Sequence, residues 1–178
     1  MKKEGQMGKP IVAIMMGSDS DLEVMSETAR ILKDFGVGRE IKILSAHRTP
    51  RETISYASAA QARGIEVIIA GAGGAAHLAG VVAAHTLLPV IGVPMETAYL
   101  KGIDSLFSTV QMPSGVPVAC MAIGPAGAKN AALLCLEILA LSDKGIRKKL
   151  VQYRANMRSL AKSQKTFGGA ALKEKNKK

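Results

Sequence analysis

The chain of 178 residues contains no tryptophan and only three tyrosines and three phenylalanines, while its apolar fraction is 48 %. Its core must therefore pack through Ala, Val, Ile, Leu and Met. The scarcity of aromatic side chains also removes the stacking platforms on which single-stranded nucleic acid is held. There are two cysteines, Cys120 and Cys135, in apolar surroundings and at a spacing that fits no zinc or redox motif, so both read as reduced core residues. No apolar run approaches the ~20 residues of a membrane span, and none near the N-terminus has the flanks of a signal peptide. The expected setting is the cytoplasm, with no membrane partner. Walker A, HExxH, Gly-x-Ser-x-Gly and metal-spaced His/carboxylate clusters are all missing. ATP hydrolysis, metal catalysis and serine acyl-enzyme chemistry have no handle, and no metal is expected.

The net charge of +10 invites a nucleic-acid reading, but its distribution argues against one. Residues 1–143 carry 12 Lys/Arg against 13 Asp/Glu, whereas 144–178 carry 12 against one. The body is neutral and only the end is basic. A salt-sensitive nucleic-acid module is the rival that this end suggests, and the neutral body disfavours it.

The length suits one domain burying roughly 70 % of its unfolded surface. Residues 10–16 are apolar throughout, as in a strand buried on both faces of a parallel sheet, and stop at Gly17. Leu22, Met25, Ala29, Leu32 and Phe35 then recur at helical spacing up to Gly36. The same grammar repeats: a strand over 40–44, and a helix capped by Thr49 with Pro50 at its first position and Glu52 closing a capping box, ended by Gly64. A strand over 66–70, a helix of small residues to about His85, a strand over 88–93 and a helix over 101–111 follow. The last elements are a strand over 116–123, an Ala/Leu-rich helix over 126–141 that should be buried, and a basic amphipathic helix over 144–160. This alternation predicts a three-layer α/β/α sandwich on a parallel sheet, with its ligand site at the carboxyl ends of the strands. The expected organisation is a flexible N-terminus (1–9), one catalytic domain (10–160) and a basic disordered tail (161–178), because the tail lacks apolar content.

Three strand-end loops carry candidate chemistry. Gly17, Ser18, Asp19, Ser20 and Asp21 offer helix-start N–H donors and hydroxyls suited to a phosphate, with Asp21 able to hold sugar hydroxyls; the same composition suits a plain N-cap cluster. Ser45, Ala46, His47 and Arg48 put a forked cation for a phosphate or carboxylate beside an imidazole that titrates near neutrality. Gly71-Ala72-Gly73-Gly74-Ala75-Ala76-His77 loosely fits the dinucleotide pattern G-x-G-x-x-A, with Glu96 about 20 residues on where that motif wants an acid. It follows the third strand rather than the first, so a dinucleotide-dependent oxidoreductase is the weaker reading. Bare backbone closing on a small anionic or flat group, a carboxylate or carbon dioxide, suits Gly73 and Gly74 better. His77 can assist there or serve only at the helix start. His85, near a helix end, reads as structural.

Together Met16 to Asp21, Ser45 to Pro50, Ala70 to Leu78, and the run Gln111-Met112-Pro113-Ser114-Gly115-Val116-Pro117-Val118 closely resemble the class I 5-(carboxyamino)imidazole ribonucleotide mutases of purine biosynthesis. The resemblance covers about 10–149. It implies a flavodoxin-like domain without cofactor, assembled as a homo-octamer with active sites near subunit boundaries, and functional coupling to the ATP-dependent synthase that makes the carboxyamino ribotide. It implies that His47 is the general acid/base and that Ser18, Asp21 and Arg48 bind phosphate and ribose. Gly17, Ser20, Ser45, Ala46, Gly73, Gly74, His77 and Leu78 complete the expected ribonucleotide site. The related class II enzymes carboxylate the aminoimidazole ribotide directly with carbon dioxide and are similar, but have Lys after the histidine and a polar Arg-Ser-Asn loop. Arg48 and Gly73-Gly74 favour class I. The chain departs from the usual pattern at Ala79, where Pro commonly follows His-Leu, and in its Lys-rich end.

Overall fold

The computed structural model describes Lys9 and residues 11–175. The stretch expected to be a flexible N-terminus lies outside the described residues, Lys9 excepted. Five strands form one parallel sheet: β1 (Val12–Met16), β2 (Arg39–Ile43), β3 (Val67–Ala72), β4 (Val90–Pro94) and β5 (Ala119–Cys120), in the order β2-β1-β3-β4-β5. This is the flavodoxin-like doubly wound order expected from the alternation. Every residue of β1 and β4 is buried, which is why their sequences are continuous apolar runs rather than alternations. The edge strand β2 differs: Ile41 and Ile43 lie on its exposed side, and Glu40 and Lys42 are half-buried on the other.

Among the described residues the α-helices are α1 (Leu22–Asp34), α2 (Pro50–Ala60), α3 (Leu78–Ala83), α4 (Ile103–Val110), α5 (Gly124–Leu139) and α6 (Lys144–Lys175). One face of the sheet presents Ala13, Met15, Ile68, Ala70 and Val90 to Tyr56, Ala57 and Ala60 of α2 and Leu78, Ala79 and Val82 of α3. Each large aliphatic side chain buried there contributes about 1.5–3 kcal/mol. Across the sheet, Thr28 of α1 donates to the Ala128 carbonyl of α5 at 2.8 Å. Gly36 and Gly64 end their helical segments in left-handed backbone (φ 75° and 94°), as their sequence positions predict.

Several boundaries depart from the sequence reading. Thr49 makes no side-chain cap to α2; its hydroxyl turns back to accept from the Ser45 N–H at 2.9 Å and donate to the Ser45 carbonyl at 3.1 Å. A residue expected to start a helix instead pins the loop before it. β5 is only two residues long rather than the expected 116–123, because Pro117 has no N–H to give to a ladder. The helix α5 buries one face, through Ala128, Ala131, Ala132 and Cys135, while Lys129 and Asn130 are exposed, so it is not enclosed all round. Burial pushes the Cys135 thiol up to about 12, so it stays protonated and inert, and both cysteines are free.

The chain divides into two compact units, residues 1–135 and 136–178. The second unit is dominated by α6, whose start is capped by Asp143: its carboxylate accepts from the N–H groups of Gly145 and Ile146 at 2.7 and 3.0 Å. Arg154 pairs with Glu137 in the same unit. The backbone of α6 is helical through Lys175, across most of the stretch that composition assigned to a disordered tail.

Candidate active site at the carboxyl ends of the strands

In a sheet of this order the chain reverses direction across β1 and β3, and the loops leaving those strands part to open a crevice. A cleft of about 420 Å³ lies there. The first wall is the loop after β1: Gly17, Ser18, Ser20 and Asp21. Ser18 caps a single 3₁₀ turn (Asp19–Asp21), accepting from the Ser20 N–H at 3.4 Å, and Asp21 is half-buried against it. Burial raises the Asp21 carboxyl from its ordinary value, with bonds from Ser20 and the Ser18 backbone and the charge of Arg48 acting against that rise.

The second wall is the loop after β2: Ser45, Ala46, His47 and Arg48. The Ser45 hydroxyl faces the N–H of Arg48 at 3.1 Å and that of His47 at 3.4 Å, closing a turn whose base is held by Thr49 and Thr53. Arg48 then reaches across to donate to the Gly17 carbonyl at 2.6 Å, tying the first two walls together. The His47 imidazole Nε2 lies 2.9 Å from Nδ1 of His77, with the rings nearly perpendicular at 88°. One N–H must lie between these nitrogens, so one ring donates and the other accepts.

The third wall comes from the loop after β3, with Ala72, Gly73, Ala75 and Leu78 at the cleft. Gly74 does not line it. Its N–H donates to Ser105 Oγ of α4 at 2.9 Å, and its carbonyl accepts from Ser108 Oγ at 3.2 Å, in left-handed backbone at φ 66°. The amide expected to face a ligand is therefore spent on α4, leaving Gly73 as the bare backbone at the cleft. A Cβ on Gly73 would meet the Met95 side chain at 3.3 Å, so the missing side chain is what keeps this wall open.

Met95 and Glu96, just past β4, form a fourth side that the strand-end reading did not include. The sequence offers Glu96 only as a dinucleotide acid; the β4 terminus beside β3 is what brings it here. The signal available in the sequence was the rule that every strand's carboxyl end faces the crevice, applied to one strand more. His85 lies elsewhere, its Nδ1 2.8 Å from the Val81 carbonyl at the end of α3, as expected of a structural histidine. Ala79 falls in the first turn of α3, where an N–H has no helical partner, so Ala in place of Pro leaves the helix unchanged. Among the described residues no His, Cys, Asp and Glu gather as a metal site.

With this geometry in place, the sequence pattern of the AIR carboxylase family matches residues 11–160, most of the chain. The chain belongs to the AIR carboxylase family. It is 59 % identical over 153 residues to the N5-carboxyaminoimidazole ribonucleotide mutase of Pyrococcus abyssi, covering 86 % of this chain and 87 % of that protein. It is 58 % identical over 149 residues to the protein of that name from Thermotoga maritima, covering 84 % and 86 %. The crystal structure of Treponema denticola PurE superposes with a TM-score of 0.79 at 31 % identity, over 88 % of this chain and 98 % of that one. The family and the α/β fold read from the motifs are thus both found. The dinucleotide reading of the Gly-rich loop finds no support among these relatives.

Proposed function

We infer that this chain converts 5-(carboxyamino)imidazole ribonucleotide to 4-carboxy-5-aminoimidazole ribonucleotide in purine biosynthesis. The observation that carries this is the pairing of the relatives' identity, near 60 % over most of the chain, with a cleft built from three of the four motifs, on the loops after β1, β2 and β3. Direct carboxylation of the aminoimidazole ribotide with carbon dioxide is not favoured: Arg48 follows the histidine and Gly73 keeps the third wall bare.

Arg48 and the hydroxyl-rich Ser18 to Asp21 turn supply a fork of donors and a helix-start N–H set for the phosphate and ribose. Two of the Arg48 guanidinium's functions coincide, since the bond to the Gly17 carbonyl also fixes its direction. Cationic His47 donates a proton to the exocyclic nitrogen as the C–N bond breaks, its electron pair staying on nitrogen, and carbon dioxide is released against Gly73. C4 attacks that carbon dioxide to form the new C–C bond. Neutral His47 then takes the C4 proton and the ring regains its aromaticity. One imidazole thus serves as acid and base with no net proton consumed. The contact with His77 supports this cycle, because an imidazole bonded to a second imidazole has a partner with which to share its proton.

A homo-octamer in the cytoplasm, supplied by an ATP-dependent synthase that makes the labile carboxyamino ribotide, completes the proposal. Among the described residues no helix is long and apolar enough to cross a membrane. The test is an assay with the carboxyamino ribotide in bicarbonate-depleted buffer, run beside the uncarboxylated ribotide with bicarbonate. Turnover of the first without bicarbonate is expected; turnover only of the second with bicarbonate would establish a carboxylase instead.

A further inference from the structure

Thr97, just past β4, is held on every side. Its carbonyl accepts from the Lys101 N–H at 3.1 Å, and its hydroxyl accepts from the Gly102 N–H at 3.1 Å and donates to the Asp104 carboxylate at 2.8 Å. Its methyl faces Gly73, 4.0 Å from where a Cβ on that glycine would stand. The turn closed by these bonds, 97–102, is bent hard. Lys101 lies in left-handed backbone at φ 53°, the only residue other than glycine to do so among those described, and Gly102 follows at φ 89°. A Cβ on Gly102 would stand 3.0 Å from the Met95 carbonyl oxygen, so the turn doubles back onto its own start. A side chain in that region is disfavoured and persists only where the surroundings over-determine it; such strain collects where a site needs fixed geometry.

This turn joins the fourth side of the cleft to α4. Before it come Met95 and Glu96, at the cleft. Met95 is buried, with its Cβ 3.3 Å from a Cβ placed on Gly73. After it, α4 turns its polar side inward: Ser105 and Thr109 are buried, while Ile103, Phe107 and Val110 are exposed. Ser105 takes the Gly74 N–H, and the Ser108 hydroxyl is shared between the Gly74 and Asp104 carbonyls at 3.2 and 2.7 Å. Asp104 thus stands between the segments that face Gly73 and Gly74. Its carboxylate is tied to the first, and its backbone belongs to the second.

Carbon dioxide freed from the carboxyamino nitrogen has two fates. Attack by C4 forms the product, whereas escape to water leaves the aminoimidazole ribotide uncarboxylated. A small neutral molecule offers no charge to grip, so its retention depends on walls that stand close and exclude water. The buried Met95 and the Thr97 methyl supply such a surface beside Gly73.

We propose that Asp104 is a positioning residue for the carboxylate transfer: through the Thr97 hydroxyl it locks the 95–102 segment against Gly73, and this lock commits the released carbon dioxide to C4. The role rests on the mutase reading. Asp104 does not line the cleft itself. Negative charge in the first turn of α4 also favours the helix dipole, but the tie to Thr97 needs only an acceptor oxygen, which an amide supplies without the charge.

The test follows carboxyamino ribotide labelled in the migrating carboxylate, with unlabelled bicarbonate in excess, for wild type, Asp104→Ala, Thr97→Val and Asp104→Asn. Label kept in the 4-carboxy product and label lost as gas are counted after subtraction of enzyme-free decay, beside KM and a denaturation midpoint. Wild type should keep nearly all of its label. Asp104→Ala and Thr97→Val should each raise the lost fraction by about tenfold, since a wall displaced by about 1 Å misplaces the reacting partners. KM should change little, because phosphate and ribose are held on other walls. Asp104→Asn should keep its label as wild type does. Thr97→Val preserves the methyl and the side chain's shape, so it reports on the hydroxyl even where Asp104→Ala fails to fold. Wild-type retention in Thr97→Val, with or without a lowered midpoint, overturns the lock, as does Asp104→Asn losing label like Thr97→Val. A wild type that makes the 4-carboxy product with its label fully exchanged overturns the lock and leaves the mutase reading standing. One that makes no such product overturns both.

Discussion

The loops after β2 and after β3 face each other across one cleft and are built in opposite ways. The first works through side chains: Ser45 and Thr49 close the turn by hydrogen bonds, and His47 and Arg48 project from it with chemistry of their own. The second works through side chains it does not have. Gly73 leaves room, and Gly74 supplies a left-handed turn steadied by hydroxyls from α4, more than thirty residues later in the chain. Reactivity that must move a proton needs a group with a pKa, and confinement of a small flat molecule needs backbone and space. The cleft assigns one demand to each loop, with the His47–His77 contact as the place where they touch.

This division predicts unequal consequences. On the proposed mechanism, replacing His47 by Asn removes the proton carrier, and turnover should fall by about 10²–10⁴ in steady-state assays. Arg48→Ala should act next most strongly and on a different parameter: losing charge-assisted bonds costs about 1.5–3 kcal/mol, a rise in KM of roughly 10- to 100-fold with kcat less affected. On the other side of the cleft, Ser105→Ala deprives the Gly74 N–H of its acceptor. Thermal or denaturant unfolding should then show a loss of about 1–3 kcal/mol, and the Gly-rich wall should become more susceptible to exchange and proteolysis.

The smallest effect concerns Asp21 and is a matter of sign. Burial raises its carboxyl in the folded state, so the folded chain holds that proton more tightly than the unfolded one, and the charged form disfavours folding at neutral pH. Asp21→Asn should therefore be slightly more stable than wild type near pH 7. The advantage should shrink as pH falls through the raised Asp21 value and vanish below the unfolded one. Denaturation midpoints at a series of pH values check this; an advantage that grows on acidification would mean that the bonds from Ser20 and Ser18 outweigh burial.

The sheet was legible because strands buried on both faces must be apolar runs, and turns between them need Gly, Ser, Asp or Pro. The placement of His47 and Arg48 at a cleft wall was legible for a related reason: an imidazole and a forked cation at a strand's end announce themselves one residue at a time. Confinement does not. Nothing local says that the Gly74 amide is taken by Ser105, or that Met95 and Glu96 close the fourth side, since both depend on which strand ends become neighbours. Thr49 shows the same limit at shorter range. Its side chain suits a helix cap, and the competing bond to Ser45 becomes visible only once the turn is closed. The helix α4 is the sharpest case, because its hydrophobic period is plain in the sequence while the side that it turns inward is the polar one.

The most direct test of the division of labour measures binding and turnover separately in the His47→Asn variant. Titration calorimetry with the carboxyamino ribotide should give a Kd within about threefold of wild type while turnover is lost, since the groups that hold phosphate and ribose are intact and only the proton carrier is gone. A Kd weakened as much as turnover falls, or turnover within about tenfold of wild type, would contradict the account.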